Sequence, residues 1–130
     1  MATWVKLTTK GFEEYLENLA RAGKDIDAIT DRALRAGGEV LLQGMKRRVP
    51  KDTGNLEANL KIEGPKKDGN FHYILVGLVN ADGETARYGT AQEYGTSSMA
   101  AQPYIRPTID EDKAKAGKAM LEVLKDAGME

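Results

Sequence analysis

Residues 71–80 read FHYILVGLVN, a run of aromatic, β-branched and aliphatic side chains with one polar interruption. Such a run suits a pleated, half-buried surface. Turn-forming sequence lies on both sides, "PKKDGN" before it and "ADG" after it, so it predicts the strongest strand in the chain. Upstream, Leu56, Ala58, Leu60 and Ile62 alternate with Glu57, Asn59, Lys61 and Glu63. That is the period of a strand with one buried face. The two strands would pair as an antiparallel hairpin with "PKKDGN" as its solvated turn. A helical turn over Leu56–Asn59 competes with the first part of this reading.

Helical periods flank the hairpin. From Asp25 to Arg48 a stripe of Ile26, Ile29, Ala33, Gly37, Val40, Leu41 and Met45 recurs at helical spacing, with Asp25 and Asp27 at the start and Lys46, Arg47 and Arg48 at the end. This charge order suits the helix dipole, and Pro50 stops the helix. Gly37, Gly38 and Gly44 each weaken it by up to about 1 kcal/mol relative to alanine. Close approach of a neighbouring element is the expected reason for Gly37 and Gly44.

A shorter helix begins near Gly11, with Phe12, Tyr15, Leu16 and Leu19 on one face, Thr9 as its cap and a break at Ala22-Gly23. Residues 3–8 alternate weakly, as a short strand or extended arm. After Pro107, Ile109, Ala116, Met120, Leu121 and Leu124 predict a final helix to about Lys125, with Gly117 again allowing close packing and "AGME" fraying. The sum is a single α+β domain spanning 1–130, a small antiparallel sheet packed against two long helices with a short additional helix.

Composition narrows function. The 19 basic and 20 acidic residues nearly cancel, and cysteine is absent. No overall field collects DNA phosphates or anionic lipid, and thiol catalysis, disulfides and thiolate zinc sites are excluded. No apolar run is long enough to span a bilayer, and the start carries no signal-peptide pattern; a protein made in the cytoplasm is expected. His72 has no second histidine to complete a metal site, and Asp110, Glu111 and Asp112 fan around a helix, where a dipole and solubility role is expected. No phosphate loop or nucleophile elbow occurs. Neither an enzyme activity nor a cofactor is expected. The densest basic cluster, Lys46, Arg47, Arg48 and Lys51, keeps a small DNA-binding accessory role open as the alternative.

The remaining unusual segment is "TARYGTAQEYGTSSMAAQPYIRP", residues 85–107, holding Tyr88, Tyr94 and Tyr104. It reads as a short helix or turn to Tyr94, a Gly95-Thr96 stop, a small-residue loop, and a stiff "PYIRP" entry to the last helix. Pro103 and Pro107 push the residues before them toward extended backbone, and a stiffened loop loses less entropy on docking. Glu93 caps backbone amides or pairs with Arg87 or Arg106, or meets another subunit. Tyr94 and Tyr104 pack within the domain or serve as subunit contacts.

Three motifs in order resemble the small tailed-bacteriophage head-tail joining or tail-completion proteins, minor tail components. They are Val49-Pro50 followed by Asp52, Thr53, Gly54 and Leu56; Glu93, Tyr94, Gly95 and Thr96; and Gln102, Pro103, Tyr104, Arg106 and Pro107. "Tyr-Gly-Thr" occurs twice, at 88–90 and 94–96, and the later copy is chosen because Glu93 precedes it. The resemblance covers Gly11 to about Leu124. It implies a non-enzymatic virion or assembly protein of a phage or prophage, located in the tail or neck after assembly in the host cytoplasm. It also implies a ring, most simply sixfold, touching connector and tail-tube or tail-terminator proteins, with no membrane partner and no direct nucleic-acid binding. A ring needs two different patches. One is expected at 93–106, including Glu93, Tyr94, Gly95, Thr96, Pro103, Tyr104 and Arg106. The other is expected at a sheet edge or the 50–56 loop, with Asp52, Thr53, Gly54 and Leu56.

Overall fold

The computed structural model describes residues 3–51 and 54–129. In chain order it has β1 (Trp4–Thr8), α1 (Glu13–Arg21), α2 (Ile26–Arg48), α3 (Asn55–Asn59), β2 (Lys61–Asp68), β3 (Phe71–Gly77), α4 (Gly83–Tyr94) and α5 (Arg106–Met129). The sheet runs β1-β3-β2, antiparallel throughout, so the 71–80 run forms its centre. This is the α+β class expected.

Register sorts the side chains. Val5, Leu7, Ile74, Val76 and Ile62 share one face, with Leu7 opposite Ile74 and Ile62 opposite Val76. That face meets α2, whose Ile29, Ala33, Leu34, Leu41 and Met45 are buried in the same core. Helix α5 runs antiparallel to α2, because a Cβ on Gly37 would fall 2.8 Å from Met120 while Gly44 lies against Thr108 and Asp112. Gly37 and Gly44 are therefore the close approaches expected. Gly38 is a third, toward Ile74 of the sheet.

Several local expectations change. Leu56 and Ala58 belong to α3, because Gly54 takes a left-handed φ of 72° that turns the chain into a helix. Pro65–Asp68 lie in β2, with a bulge between Glu63 and Lys66, and only Gly69-Asn70 make the turn. A bulge on an edge strand is where proline is tolerated. Thr9 does not cap α1. Phe12 occupies that position without a side-chain cap, and Glu13 reaches back to the N–H of Gly11 at 2.8 Å. Gly117 packs against nothing within 4 Å of where its Cβ would be. Helix α5 continues to Met129 because Ala127 is buried in the core, and Leu121 lies only half-buried beside the main stripe.

Candidate functional site

Helix α4 starts when the Asp82 carboxylate accepts the N–H of Thr85 at 2.9 Å and its hydroxyl at 2.8 Å. Those bonds, the backbone one first, hold the Asp82 carboxyl below its usual range. Gly89, in the middle of α4, lets two other segments converge on it. A Cβ there would meet Leu78, the Tyr104 hydroxyl at 2.9 Å and Leu56 at 3.5 Å. Tyr104 donates its hydroxyl to the Gly89 carbonyl at 3.1 Å. Leu56 and Tyr104, far apart in sequence, thus share one buried seam.

At the end of α4, Glu93 is 0% exposed. Its Oε1 accepts the N–H groups of Tyr104 and Ile105, both at 2.8 Å, and its Oε2 accepts the N–H and Nε of Arg106 at 3.0 and 2.9 Å. Arg106 also donates to the Glu93 carbonyl. One carboxylate therefore satisfies the otherwise unpaired donors that begin α5. Burial pushes the Glu93 pKa up, but the three amides and Arg106 outweigh it and hold the carboxyl below its ordinary value. Burial, then the Glu93 charge and Tyr94, push the Tyr104 phenol upward.

The loop between these anchors is pinned at several points. Gly95 has φ 78°, and a Cβ on it would come within 3.0 Å of both Ala101 N and the Met99 carbonyl, so no other residue fits easily. Thr96 N donates to the Met99 carbonyl at 2.9 Å, and Gln102 N to the Gln92 carbonyl at 2.7 Å. Met99 is half-buried, with Gln92 Nε2 3.9 Å from its sulfur. The Arg106 guanidinium stacks 4.7 Å from the Tyr94 ring centroid while half its side chain faces solvent. The result is a rigid outward ridge of Thr96, Ser97, Ser98, Ala100 and Ala101, flanked by Tyr94 and Arg106.

Of the residues named from sequence, Glu93, Tyr104 and Leu56 lie in the interior, while Tyr94, Gly95, Pro103 and Gly54 are partly exposed and Thr96 and Arg106 exposed. Asp52 and Thr53 lie outside the described residues. The 54–56 turn is tied to α4 through Asn55 and Thr85 at 3.2 Å, so the first and second motif regions are brought together.

The basic cluster has a different role from phosphate binding. Arg48 donates to Asp112 at 2.8 Å, to Glu111 at 2.6 Å and to Thr108 at 3.2 Å, and Arg47 reaches Asp112 at 3.0 Å. Lys51 bonds Glu57. Asp112 is buried, its carboxyl held low chiefly by the Arg48 hydrogen bond, which corrects the solubility role expected of it. This pairing was not visible from sequence, since it joins the ends of two helices more than sixty residues apart. His72 is spanned by Asp31 at 2.9 Å and Asp27 at 3.1 Å on α2, an ordinary structural histidine. No group of three His, Cys, Asp or Glu among the described residues is placed to hold a metal, and none of their helices is long and apolar enough to cross a membrane.

Sequence reasoning also missed the sheet's outer face. Opposite the helices, register places Trp4, Phe71, Tyr73 and Leu75 together, with Trp4 40% and Phe71 73% exposed and Lys6 stacked 4.5 Å over Tyr73. The strand alternation that buried Ile74 and Val76 was the available signal.

Residues 10–95 match the model of the family described as "Bacteriophage HK97-gp10, putative tail-component". No curated protein and no solved structure gives a significant match.

Proposed function

The chain belongs to this phage tail-component family, and from that premise we propose that it is a non-enzymatic structural or assembly protein of the tail or neck. It acts through ring-like contacts between copies at the head-tail junction or the tail end, and it touches connector and tail-tube or tail-terminator proteins. Assembly takes place in the host cytoplasm.

The observation that carries this reading is the Glu93 clamp. A fully buried carboxylate is spent on ordering five backbone and side-chain donors, and what it orders is a surface ridge. Docking a ridge already held in one conformation avoids the entropy cost of ordering a free loop. Residues 94–103 with Arg106 form one patch of a heterologous contact. The complementary patch lies at a sheet edge or at the 50–56 turn, where Asp52, Thr53 and Gly54 sit at the end of the α2 staple. The DNA-binding alternative is disfavoured by the spending of Arg47, Arg48 and Lys51 on carboxylates.

The test is mass measurement and electron microscopy of the protein alone and mixed with its neighbouring connector and tail proteins. A closed ring at the head-tail junction or tail end is the expected result. A chain that stays monomeric with every neighbour, or that binds duplex DNA with steep salt dependence, overturns it.

A further inference from the structure

The two edges of the sheet are not equivalent. Strand β2 is broken by its bulge and by Pro65, devices that prevent pairing. Strand β1 has neither. Thr3 O accepts from Leu78 N at 2.9 Å, so by the alternation of an antiparallel ladder Trp4, Lys6 and Thr8 turn their N–H and C=O groups to the open edge. Beside that edge lies a groove of about 280 Å³, floored by Leu7, Phe12, Leu41 and Ile109 and walled on the far side by α5. Gly117 sits in that wall with open space where its Cβ would be. Lys10 and Lys113 stand on the rim, no carboxylate lines the groove, and neither lysine has an ion pair among the described residues.

We propose that the β1 edge and this groove accept an extended segment of another protein by strand addition, one in which apolar side chains alternate with acidic ones. Backbone bonds to Trp4, Lys6 and Thr8 supply register, alternate apolar side chains enter the groove over Leu7 and Leu41, and carboxylates meet Lys10 and Lys113. The occupant is a different protein because the exposed non-helical segments of this chain around 78–82 and 95–105 hold a single acid, Asp82. The inference adds a partner to the tail reading and does not depend on ring closure, since a chain that never forms rings would still take up the strand.

The probe is a synthetic eight-residue peptide alternating valine and glutamate, with a valine-lysine peptide as control, followed by amide chemical shifts of the full chain. Saturable shifts at Trp4, Lys6 and Thr8 with the glutamate peptide only are expected. Gly117→Leu fills the groove without burdening α5 and should abolish them, while the double variant Lys10→Glu, Lys113→Glu should weaken binding at least tenfold. Absence of shifts, equal binding of the lysine peptide, or indifference to Gly117→Leu overturns the proposal. Shifts at the same amides on concentrating the protein alone would assign the groove to a second copy and overturn it equally.

Discussion

Arg106 and Glu93 are joined three ways. The Arg106 backbone N–H and Nε both donate to Glu93 Oε2, at 3.0 and 2.9 Å, and its guanidinium reaches back to the Glu93 carbonyl. Glu93→Gln keeps the shape but puts an amide NH₂ where an acceptor is needed, so one or more of the buried N–H groups of residues 104–106 loses its partner. Charge-assisted bonds of this kind contribute about 1.5–3 kcal/mol each when broken. The variant should lose roughly 3 kcal/mol in urea unfolding, with faster hydrogen exchange at Ile105 and Arg106. A midpoint equal to wild type would show that the clamp is not what orders the loop.

Acid sensitivity follows from the same carboxylate. Glu93 and Asp112 both have folded pKa values below their ordinary ones. Their stabilisation is therefore complete above the unfolded carboxylate pKa, about 4, and is lost as pH falls through the lower folded values. Thermal stability should be flat from neutral pH down to about 5 and drop below about 4. Glu93→Gln should start lower at pH 7 and fall less on acidification. A wild-type decline centred near pH 6 would point to His72 between Asp27 and Asp31 instead.

Two glycines in the helix pair separate intrinsic propensity from packing. Propensity alone gives each Gly→Ala change up to about 1 kcal/mol of stabilisation. Gly117→Ala should deliver it, since nothing lies within 4 Å of the added methyl. Gly44→Ala should lose about 2 kcal/mol despite the same propensity gain. Its methyl would press on Asp112 and stand 2.9 Å from Thr108 and 3.0 Å from Arg48, at the staple joining α2 to α5. Urea midpoints moving in opposite directions are the expected outcome.

The long periodic elements were legible because their burial pattern fits one period only. The α2 stripe and the 71–80 strand leave no second reading. Residues 56–60 were not, because leucines at 56 and 60 satisfy a helical i,i+4 spacing as well as strand alternation. The decision rests on the left-handed backbone of Gly54, which sequence offers only as a possibility. Gly117 looked like Gly37 because a lone glycine in a helix carries no sign of whether a neighbour faces it. The Glu93 clamp was half legible: a carboxylate before a stiff loop and an arginine suggested capping or pairing, and the structure has both. Asp112 was read with its acidic neighbours, since only the antiparallel packing of α2 on α5 turns it toward Arg48.

Tyr94 and Tyr104 were paired as aromatic anchors, and their surroundings now divide them. Tyr104 is wholly buried on the Gly89–Leu56 seam, so truncation to alanine should cost about 4 kcal/mol, and Tyr104→Phe about 1 kcal/mol for the lost bond to Gly89. Any effect of these changes on assembly passes through the fold. Tyr94 is partly exposed beneath Arg106, and Tyr94→Ala should lose on the order of 1 kcal/mol for the cation–π contact and leave a cooperative monomer. If residues 94–106 form a contact between copies, that folded monomer should fail to enter rings or tails while Tyr104→Phe still does. Sedimentation and electron microscopy of both variants with the neighbouring tail proteins decide it: normal incorporation of Tyr94→Ala would move the interface away from the ridge, toward the β1 edge or the outer sheet face.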